Sequence, residues 1–416
     1  MTRLWHPFTN MASVVGREFV VDRAEGVWLW GEDGQRILDA TGSLWYSNIG
    51  HGRAEIADAV RDQLLKLDAY NIFNDYANRP ALDLADRLAA LAPVPDARVF
   101  LTPGGGDGIE TAAKLARRYW AVEGRPERNH LIGRASAFHG AGGFGTTIGG
   151  IDANHEDIGP LVGGVSRVAY DSLDDLRAEI ERLGAERVAA VFVEPVVGAG
   201  GVLPPPPGYI EGVAALCAET GVLFVLDEVI CAFGRLGHWF AAERFGVEPD
   251  MIVFAKGVTS GYQPLGGVIV AGRLAEPFWS GDGNYLRTGQ TYSGHPACCV
   301  AALANLDIIE KEGLLARSRE LEVVLADALT PLLELSAVSA VRAGVGLMAA
   351  VELSAEAMEG GLGVPAVFEA ARAEGVITRP LGTSLGISPP LTITEEEIAL
   401  IPAAIAAGID AVAKVG

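Results

Sequence analysis

The sequence predicts an α/β fold built on a mostly parallel sheet, and three observations support it. Between about residues 97 and 300, short apolar runs alternate with helical stretches, which is typical of right-handed βαβ units. Two of these runs lie in 222–230 (VLFVLDEVI) and 251–261 (MIVFAKGVTSG). Each begins with an uninterrupted series of apolar residues, which indicates a strand buried on both faces. The chain of 416 residues also has room for two packed units.

The predicted elements follow in chain order. Residues 1 to about 55 indicate an irregular arm and a hairpin, whose two apolar runs flank a GEDG turn. From Glu55 the apolar spacing becomes three and four, which predicts helices in AEIADAVRDQLLKL and RPALDLADRLAALAP. The alternating region contains strands at ARVFLT, RNHLIGRA, VAAVFVEPV, VLFVLDEV, DMIVFAKG and GGVIVAG, separated by helices such as GIETAAKLARRYWAVEG and GYIEGVAALCAETG.

The carboxyl-terminal part begins with one long helical region that we expect to break near Gly313. A smaller α/β unit follows, with VGLMAAVEL, the helix VPAVFEAARAEG, VITRPL and a final helix in EEIALIPAAIAAGIDAVAK. We therefore expect three parts: residues 1–55 as an arm and hairpin that belong to the small domain, 56–304 as the large domain, and 305–416 as the carboxyl-terminal small domain.

Composition excludes several classes of protein. A formal net charge of −21 argues against nucleic acid or an anionic membrane as a partner. The four cysteines have no CxxC spacing, which indicates reduced thiols and no metal site. The amino terminus lacks a continuous apolar signal region, and no run approaches the roughly 20 apolar residues of a membrane span. We expect a cytoplasmic protein.

Asp227 and Lys256 each end one of the two apolar runs. A charge at the end of a buried strand needs a partner or a function. Pyridoxal phosphate requires both groups: a lysine amine that forms a Schiff base with its aldehyde, and a carboxylate that keeps its pyridine nitrogen protonated. The alternative is a buried ion pair at the sheet edge, and the flanking residues favour the cofactor.

Those flanking residues, LDEV followed by GR and then AKGVTSGYQPLGG, resemble the core of a class III aminotransferase, a fold-type I pyridoxal phosphate enzyme. The resemblance extends from Trp5 to the segment after Pro390. It implies that Lys256 carries the cofactor, that Asp227 holds its ring nitrogen and that residues 56–304 form the cofactor-binding domain. It also implies a ping-pong reaction that moves an amino group from an amine donor to a keto acid.

A strand followed by three glycines and a helix, in FLTPGGGDGIETAAKLARRYW, predicts a phosphate site. Amides at a helix N-terminus bind anions, so we expect the cofactor phosphate on Gly105, Gly106 and Asp107; the alternative is a flexible turn. Class III enzymes commonly carry serine-glycine-serine here, so this chain lacks those hydroxyl contacts. Thr291 matches the family's threonine that reaches the phosphate from the neighbouring subunit, which implies a homodimer, or a dimer of dimers, with shared active sites.

A second glycine cluster, GAGGFG at 140–145, satisfies the GxGxxG pattern after a strand-like run. The following residues, TTIGGIDANHEDIG, do not have the pattern of a helix, and FHG at 138–140 fits the aminotransferase interpretation better. We therefore do not predict a dinucleotide site at this cluster.

The resemblance also assigns the walls of the pocket. Phe138 stands where the family stacks a Tyr or Phe on one face of the pyridine ring, and Val229 would pack on the other. His139 is expected to be a hydrogen-bonding neighbour, not a catalyst. Phe8 and Trp45 lie in segments, WHPFT and GSLWYSNIGHGR, that are similar to those lining the substrate entrance, and would form an apolar pocket there. Either could instead be a packing residue.

Arg379, in GVITRPLGTSLGISPPL, matches the family's arginine and has the planar fork that suits a substrate carboxylate. A structural salt bridge is the alternative. Ala199 stands where ornithine and γ-aminobutyrate relatives carry a glutamate that pairs with this arginine, so Arg379 would remain free. This favours the branch resembling ω-amine:pyruvate and β-alanine:pyruvate aminotransferases.

Three other hypotheses remain open. The WHPFTNM start is similar to the diaminopelargonate synthase branch, although that branch differs in the stretch after its lysine. A racemase or epimerase could use the same pyridoxal phosphate scaffold. An α/β binding protein could hold another phosphate on Gly104–Gly106.

Overall fold

The computed structural model describes residues 2–414, in which the strands form three sheets. The strands are β1 (Val21–Glu25), β2 (Trp28–Gly31), β3 (Arg36–Asp39), β4 (Arg98–Thr102), β5 (His130–Arg134), β6 (Val165–Val168), β7 (Val188–Val193), β8 (Leu223–Asp227), β9 (Met251–Phe254), β10 (Gly266–Val270), β11 (Val338–Arg342), β12 (Ala349–Leu353), β13 (Val376–Ile377), β14 (Arg379–Leu381) and β15 (Ser384–Ile387).

The helices surround these sheets and include several of only one or two turns. They are α1 (Gly42–Trp45), α2 (Ala54–Lys66), α3 (Arg79–Leu91), α4 (Gly105–Val122), α5 (Gly143–Ile148), α6 (Leu173–Leu183), α7 (Tyr209–Thr220), α8 (Ala241–Phe245), α9 (Gly272–Trp279), α10 (Pro296–Lys311), α11 (Leu314–Leu329), α12 (Ala355–Glu359), α13 (Val364–Ala373), α14 (Glu395–Ile398) and α15 (Leu400–Ala413). None of the helices within 2–414 is long and apolar enough to span a bilayer.

The large sheet has seven strands in the order β4-β10-β9-β8-β7-β5-β6. Strands β5 to β9 pair in parallel, and β10 is antiparallel to both β4 and β9. Every residue of β7, β8 and β9 is buried, because helices cover both faces of a parallel sheet. The predicted, mostly parallel sheet is confirmed. The sequence interpretation missed the edge strand β6, whose residues VSRV are only partly buried.

One of the two smaller sheets, in the order β1-β2-β3-β13, combines strands from both ends of the chain. In it, β3 of the β2–β3 hairpin pairs in parallel with β13, with Val376 opposite Leu38. The other has the order β11-β12-β15-β14. The amino-terminal hairpin and the carboxyl-terminal part thus share a sheet, as the fold prediction requires.

The long helical region breaks as predicted, since α10 ends at Lys311 and α11 begins after Gly313, whose φ is 65°. The predicted boundary at residue 304 falls inside α10, which continues to Lys311. The division into 1–55, 56–304 and 305–416 stays a prediction.

Candidate active site

A cavity of about 390 Å³ lies where β8 and β9 end. Asp227, the last residue of β8, and Lys256, just after β9, both line it, together with Gly104–Gly106. Because neighbouring parallel strands end at the same edge of a sheet, their terminal side chains meet there, and ligands of α/β proteins bind at this edge. The structure therefore brings together the two groups that the sequence singled out.

Lys256 begins a single 3₁₀ turn, Lys256–Val258, and its backbone φ is 47°. Burial lowers the pKa of the Lys256 amine below its ordinary value. The charges of Asp227 and Glu194 oppose this lowering, while the charge of Arg379 adds to it. The environment thus favours the neutral amine, which is the form that can act as a nucleophile or accept a proton.

Asp227 is held in orientation by two contacts. Its Oδ2 lies 2.7 Å from Nδ1 of His139, and its Oδ1 accepts a hydrogen bond of 3.1 Å from the Val229 amide. Asp227 and His139 are both buried, and the Nε2 atom of His139 has no partner among residues 2–414. His139 thus makes the hydrogen bond expected of it, and its partner is the proposed catalytic carboxylate.

Glu194, a cavity-lining carboxylate directly after β7, was missed by the sequence reasoning. Its Oε1 accepts a 2.9 Å hydrogen bond from the Phe138 amide, and its Oε2 a 3.0 Å bond from the Gly198 amide. Burial raises the pKa of this carboxyl, with His139 acting in the opposite direction and the Asp227 charge adding to the rise. One side chain thus holds both the Phe138 segment and the turn that contains Ala199.

The first glycine cluster opens onto the cavity. Helix α4 begins at Gly105 with no side-chain cap, and Gly104–Gly106 line the cavity; Asp107 is the third residue of the helix. A Cβ added at Gly105 would lie 2.7 Å from Cγ2 of Val229. The first amides of a helix have no partner within it, so this bare backbone fits an anionic group. The residues present therefore fit a cofactor phosphate beside Lys256.

The second glycine cluster is closed by Glu110 of α4. Helix α5 begins inside GAGGFG, and Glu110 Oε1 accepts hydrogen bonds from the amides of Phe144 (2.7 Å) and Gly145 (2.9 Å). The prediction that the residues after this cluster, TTIGGIDANHEDIG, are not helical was wrong for Thr146–Ile148, which end α5. Glycine and threonine disfavour a helix in isolation, but the carboxylate satisfies its first amides and its charge complements the helix dipole.

Phe138 and Val229 both line the cavity, as the proposed ring contacts require. Phe8 is 73% exposed and meets Phe138 edge to face, with ring centroids 6.0 Å apart. Trp45 is only 3% exposed and packs in a buried cluster, while its neighbour Tyr46 lines the cavity. The structure thus brings Phe8 to the pocket wall and places Tyr46, not Trp45, in the lining. The substrate contacts of Phe8 and Trp45 stay predictions.

Arg379, on β14, is half-buried and close enough to Lys256 for its charge to affect the lysine. Burial lowers the pKa of its guanidinium. Its Nε atom has no hydrogen-bond partner in the described part of the chain.

Thr291 is exposed in the turn before α10 and lies outside the cavity lining of its own chain. Its proposed contact from a neighbouring subunit stays a prediction.

The fold and the pair Lys256–Asp227 together define a pyridoxal phosphate enzyme of fold type I. Residues 11–409 match the family Aminotransferase class-III, so the chain belongs to that family. It is a pyridoxal phosphate-dependent aminotransferase, as the sequence resemblance predicted.

Curated relatives and a solved structure match this chain over most of its length. Putrescine–pyruvate aminotransferase of Pseudomonas aeruginosa is 35% identical over 403 residues, covering 91% of this chain and 88% of that protein. Adenosylmethionine-8-amino-7-oxononanoate aminotransferase of Nitratidesulfovibrio vulgaris is 37% identical over 443 residues, covering 99% and 81%. The pyridoxal phosphate-bound crystal structure of an amine transaminase from an uncultivated Pseudomonas species superposes with a TM-score of 0.94, at 35% identity and 99% coverage of both chains.

Proposed function

We propose that this aminotransferase moves an amino group from an ω-amino acid or amine donor to pyruvate or a similar keto acid. The observation that carries the acceptor assignment is Arg379, whose Nε has no hydrogen-bond partner within residues 2–414 although its charge acts on Lys256. A guanidinium with free donors suits a carboxylate. Ala199 provides no carboxylate that could neutralise it. The similarity to a putrescine–pyruvate aminotransferase and an amine transaminase supports the donor class.

When bound, pyridoxal phosphate supplies an aldehyde that combines with amines and a protonated ring that accepts electrons from the substrate carbon. In our proposal, Lys256 provides the amine that holds the cofactor in the resting enzyme. The neutral Lys256 amine, once free of the cofactor, would serve as the general base that takes the proton from the substrate carbon and as the acid that returns it. Asp227 would hold the ring nitrogen of the bound cofactor, and His139 fixes the orientation of that carboxylate.

The other lining residues hold the cofactor in place. The amides of Gly105, Gly106 and Asp107 would bind its phosphate, and Phe138 and Val229 would pack against the two ring faces. Glu194 fixes Phe138 through its backbone amide. A bound amine would lie near Tyr46, with Phe8 and Trp45 shaping the entrance.

We further propose a homodimer, or a dimer of dimers, in which Thr291 completes the partner's phosphate site. Thr291 is exposed in the single chain, and so are several nearby aromatic side chains. These include Phe73, Tyr76 and Tyr292, which are 46%, 51% and 69% exposed. A monomer would then be inactive.

We also propose that the enzyme is cytoplasmic. Its four cysteines are free, which fits the reducing environment of the cytoplasm.

The donor class is tested by titrating the cofactor-loaded protein with β-alanine, taurine, putrescine, an aromatic amine and L-alanine. We expect one class of donor to bleach the visible absorption band of the cofactor, and pyruvate to restore it. Initial-rate patterns should be ping-pong, and a sequential pattern with a ternary complex would contradict the proposal. Restoration by 8-amino-7-oxononanoate alone would instead indicate the diaminopelargonate branch. Solvent deuterium entering an amino acid without keto acid formation would indicate a racemase.

The role of Arg379 is tested by following the two half-reactions separately in Arg379→Ala. The half-reaction with pyruvate should slow far more than the one with an amine that has no carboxylate. The amine half-reaction is the internal control, since it reports any general damage to the site. Equal losses in both would contradict a carboxylate-binding role.

A further inference from the structure

The turn that carries Lys256 has an uncommon backbone conformation. Lys256 and Ser260, at its two ends, have φ values of 47° and 48°. Residues with side chains rarely occupy this left-handed region, and they persist there only where the surrounding structure holds them. The position of the Lys256 amine therefore depends on whatever fixes this turn.

Asn305, a fully buried residue of α10, makes three hydrogen bonds to the turn. Its Nδ2 donates to the carbonyl oxygens of Gly257 (2.8 Å) and Val258 (2.9 Å). Its Oδ1 accepts a 2.7 Å hydrogen bond from Oγ of Ser260. The Asn305 side-chain amide thus uses its two N–H donors on the carbonyls of two successive residues, and its oxygen accepts from the hydroxyl of Ser260.

The opposite side of the turn is bounded by the segment after Tyr46. Oγ of Ser260 also accepts a 3.3 Å hydrogen bond from the Ile49 amide. A Cβ added at Gly257 would lie 2.4 Å from Nδ2 of Asn48, so the backbone packs tightly there. The turn is therefore clamped between α10 and residues 48–49, and the clamp on the α10 side is the single Asn305 amide.

We propose that Asn305 is a positioning residue for the aminotransferase reaction, which holds the 256–260 turn so that the Lys256 amine faces the cofactor aldehyde. Asn305 is not part of the cavity lining and acts through the backbone of the turn. The inference rests on the proposed role of Lys256. It predicts a defect that is specific to the bond between the cofactor and the lysine, because the phosphate and ring contacts come from other elements.

The test compares pyridoxal phosphate, which bonds to Lys256, with pyridoxamine phosphate, which has an amine in place of the aldehyde and cannot. Cofactor-free Asn305→Asp keeps the side-chain shape but places acceptors against the two carbonyls. We expect bond formation with pyridoxal phosphate, followed by absorbance, to slow on the order of tenfold, as expected for losing buried hydrogen bonds. Binding of pyridoxamine phosphate, measured by calorimetry, should be unchanged.

Gln63→Ala provides a control, because Gln63 is a buried amide of α2 that donates to the carbonyl of Leu67 (2.9 Å), directly after that helix. It should leave both measurements unchanged. If Asn305→Asp does not fold, Ser260→Ala, which removes one bond to Asn305, should show a smaller slowing of the same kind.

Three outcomes would overturn the proposal in distinguishable ways. Unchanged bond formation in the Asn305 variant, or in Ser260→Ala where that variant has to be used, would show that the clamp does not position the lysine. Equal weakening of pyridoxal and pyridoxamine phosphate binding would show a general structural role. Failure of the wild-type protein to attach the cofactor at Lys256, seen by borohydride reduction and peptide mapping, would remove the role of Lys256 itself.

Discussion

The two glycine clusters of this chain look alike in sequence and differ in what occupies their amides. Gly104–Gly106 forms the start of an 18-residue helix that has no side-chain cap, and it opens onto the cavity with Lys256 and Asp227. The cluster at 140–145 starts a six-residue helix whose first amides are bound by Glu110. Both clusters offer a helix N-terminus, yet only the first leaves it free for an external anion.

This difference shows why a glycine pattern alone is a weak indicator of a phosphate site. Glycine provides a bare backbone, but the amides bind a ligand only if no carboxylate of the protein already accepts from them. In this chain the residue that decides between the two clusters, Glu110, belongs to the helix that the first cluster begins. Four experiments test this difference between the clusters.

The largest effect should come from Lys256→Ala, which leaves the first cluster as the main attachment of the cofactor. Both half-reactions should fall by about 10³-fold or more, because the general base is lost. Pyridoxamine phosphate should still bind, held by the α4 amides. Single-turnover rates and calorimetry measure the two effects, with the exposed Lys114→Ala as the control. Retained turnover in the Lys256 variant would be incompatible with the proposed mechanism.

A matched pair of glycine substitutions compares the clusters directly. In Gly105→Ala, the new Cβ would lie 2.7 Å and 3.0 Å from the two Cγ atoms of Val229. Overpacking of this kind costs about 1–3 kcal/mol, so cofactor affinity should fall about tenfold to a hundredfold. In Gly143→Ala, the Cβ would meet Val162 at an ordinary 3.6 Å, and affinity should not change. Equal effects of the two substitutions on binding would remove the distinction between the clusters.

Glu110→Gln tests what closes the second cluster. The variant keeps the side-chain shape but loses the charge that faces the α5 amides, which should lower the free energy of unfolding by about 0.5–1 kcal/mol. Urea denaturation measures this, and the exposed loop variant Glu127→Gln serves as the control. Cofactor affinity should stay at the wild-type value. A large loss of affinity would mean that the second cluster contributes to cofactor binding.

The smallest effect should appear in a pH profile of the first site. Because burial lowers the pKa of Lys256, the neutral amine is available at lower pH than in a free lysine. Bond formation with pyridoxal phosphate should rise with pH and level off below the ordinary lysine value of about 10.4. Arg379→Gln removes a charge that lowers this pKa, so the midpoint should move to higher pH. A midpoint that stays fixed or falls would contradict the closeness of the two cations.

The functional residues at the strand ends could be predicted from the sequence, because a charged residue that ends an apolar run is visible in the local sequence. Asp227 and Lys256 each interrupt an apolar run, and parallel pairing places such residues at one sheet edge. The same reasoning applied to VAAVFVEP would have found Glu194, which directly follows the fully buried β7. The first glycine cluster was also predictable, because the helix periodicity of α4 begins directly after it.

Other parts of the site depend on contacts between distant segments. Asn305 looks like an ordinary polar position of a helix, and its role comes from carbonyls nearly fifty positions earlier in the chain. Helix α5 depends on Glu110, which no local propensity of GFGTTI reveals. The cavity lining contains Tyr46, while its neighbour Trp45 packs in a buried cluster. The backbone has positive φ at both Ser43 and Trp45, which no local sequence pattern indicates.

The role of Lys256 is tested most directly by reducing the cofactor-loaded protein with borohydride, digesting it and mapping the modified lysine by mass spectrometry. We expect the cofactor mass on the peptide that contains Lys256. The remaining lysines of the sequence are Lys66, Lys114, Lys311 and Lys414. Modification at any of these with Lys256 unmodified, or no modification at all, would contradict the assignment of Lys256 as the cofactor-binding lysine.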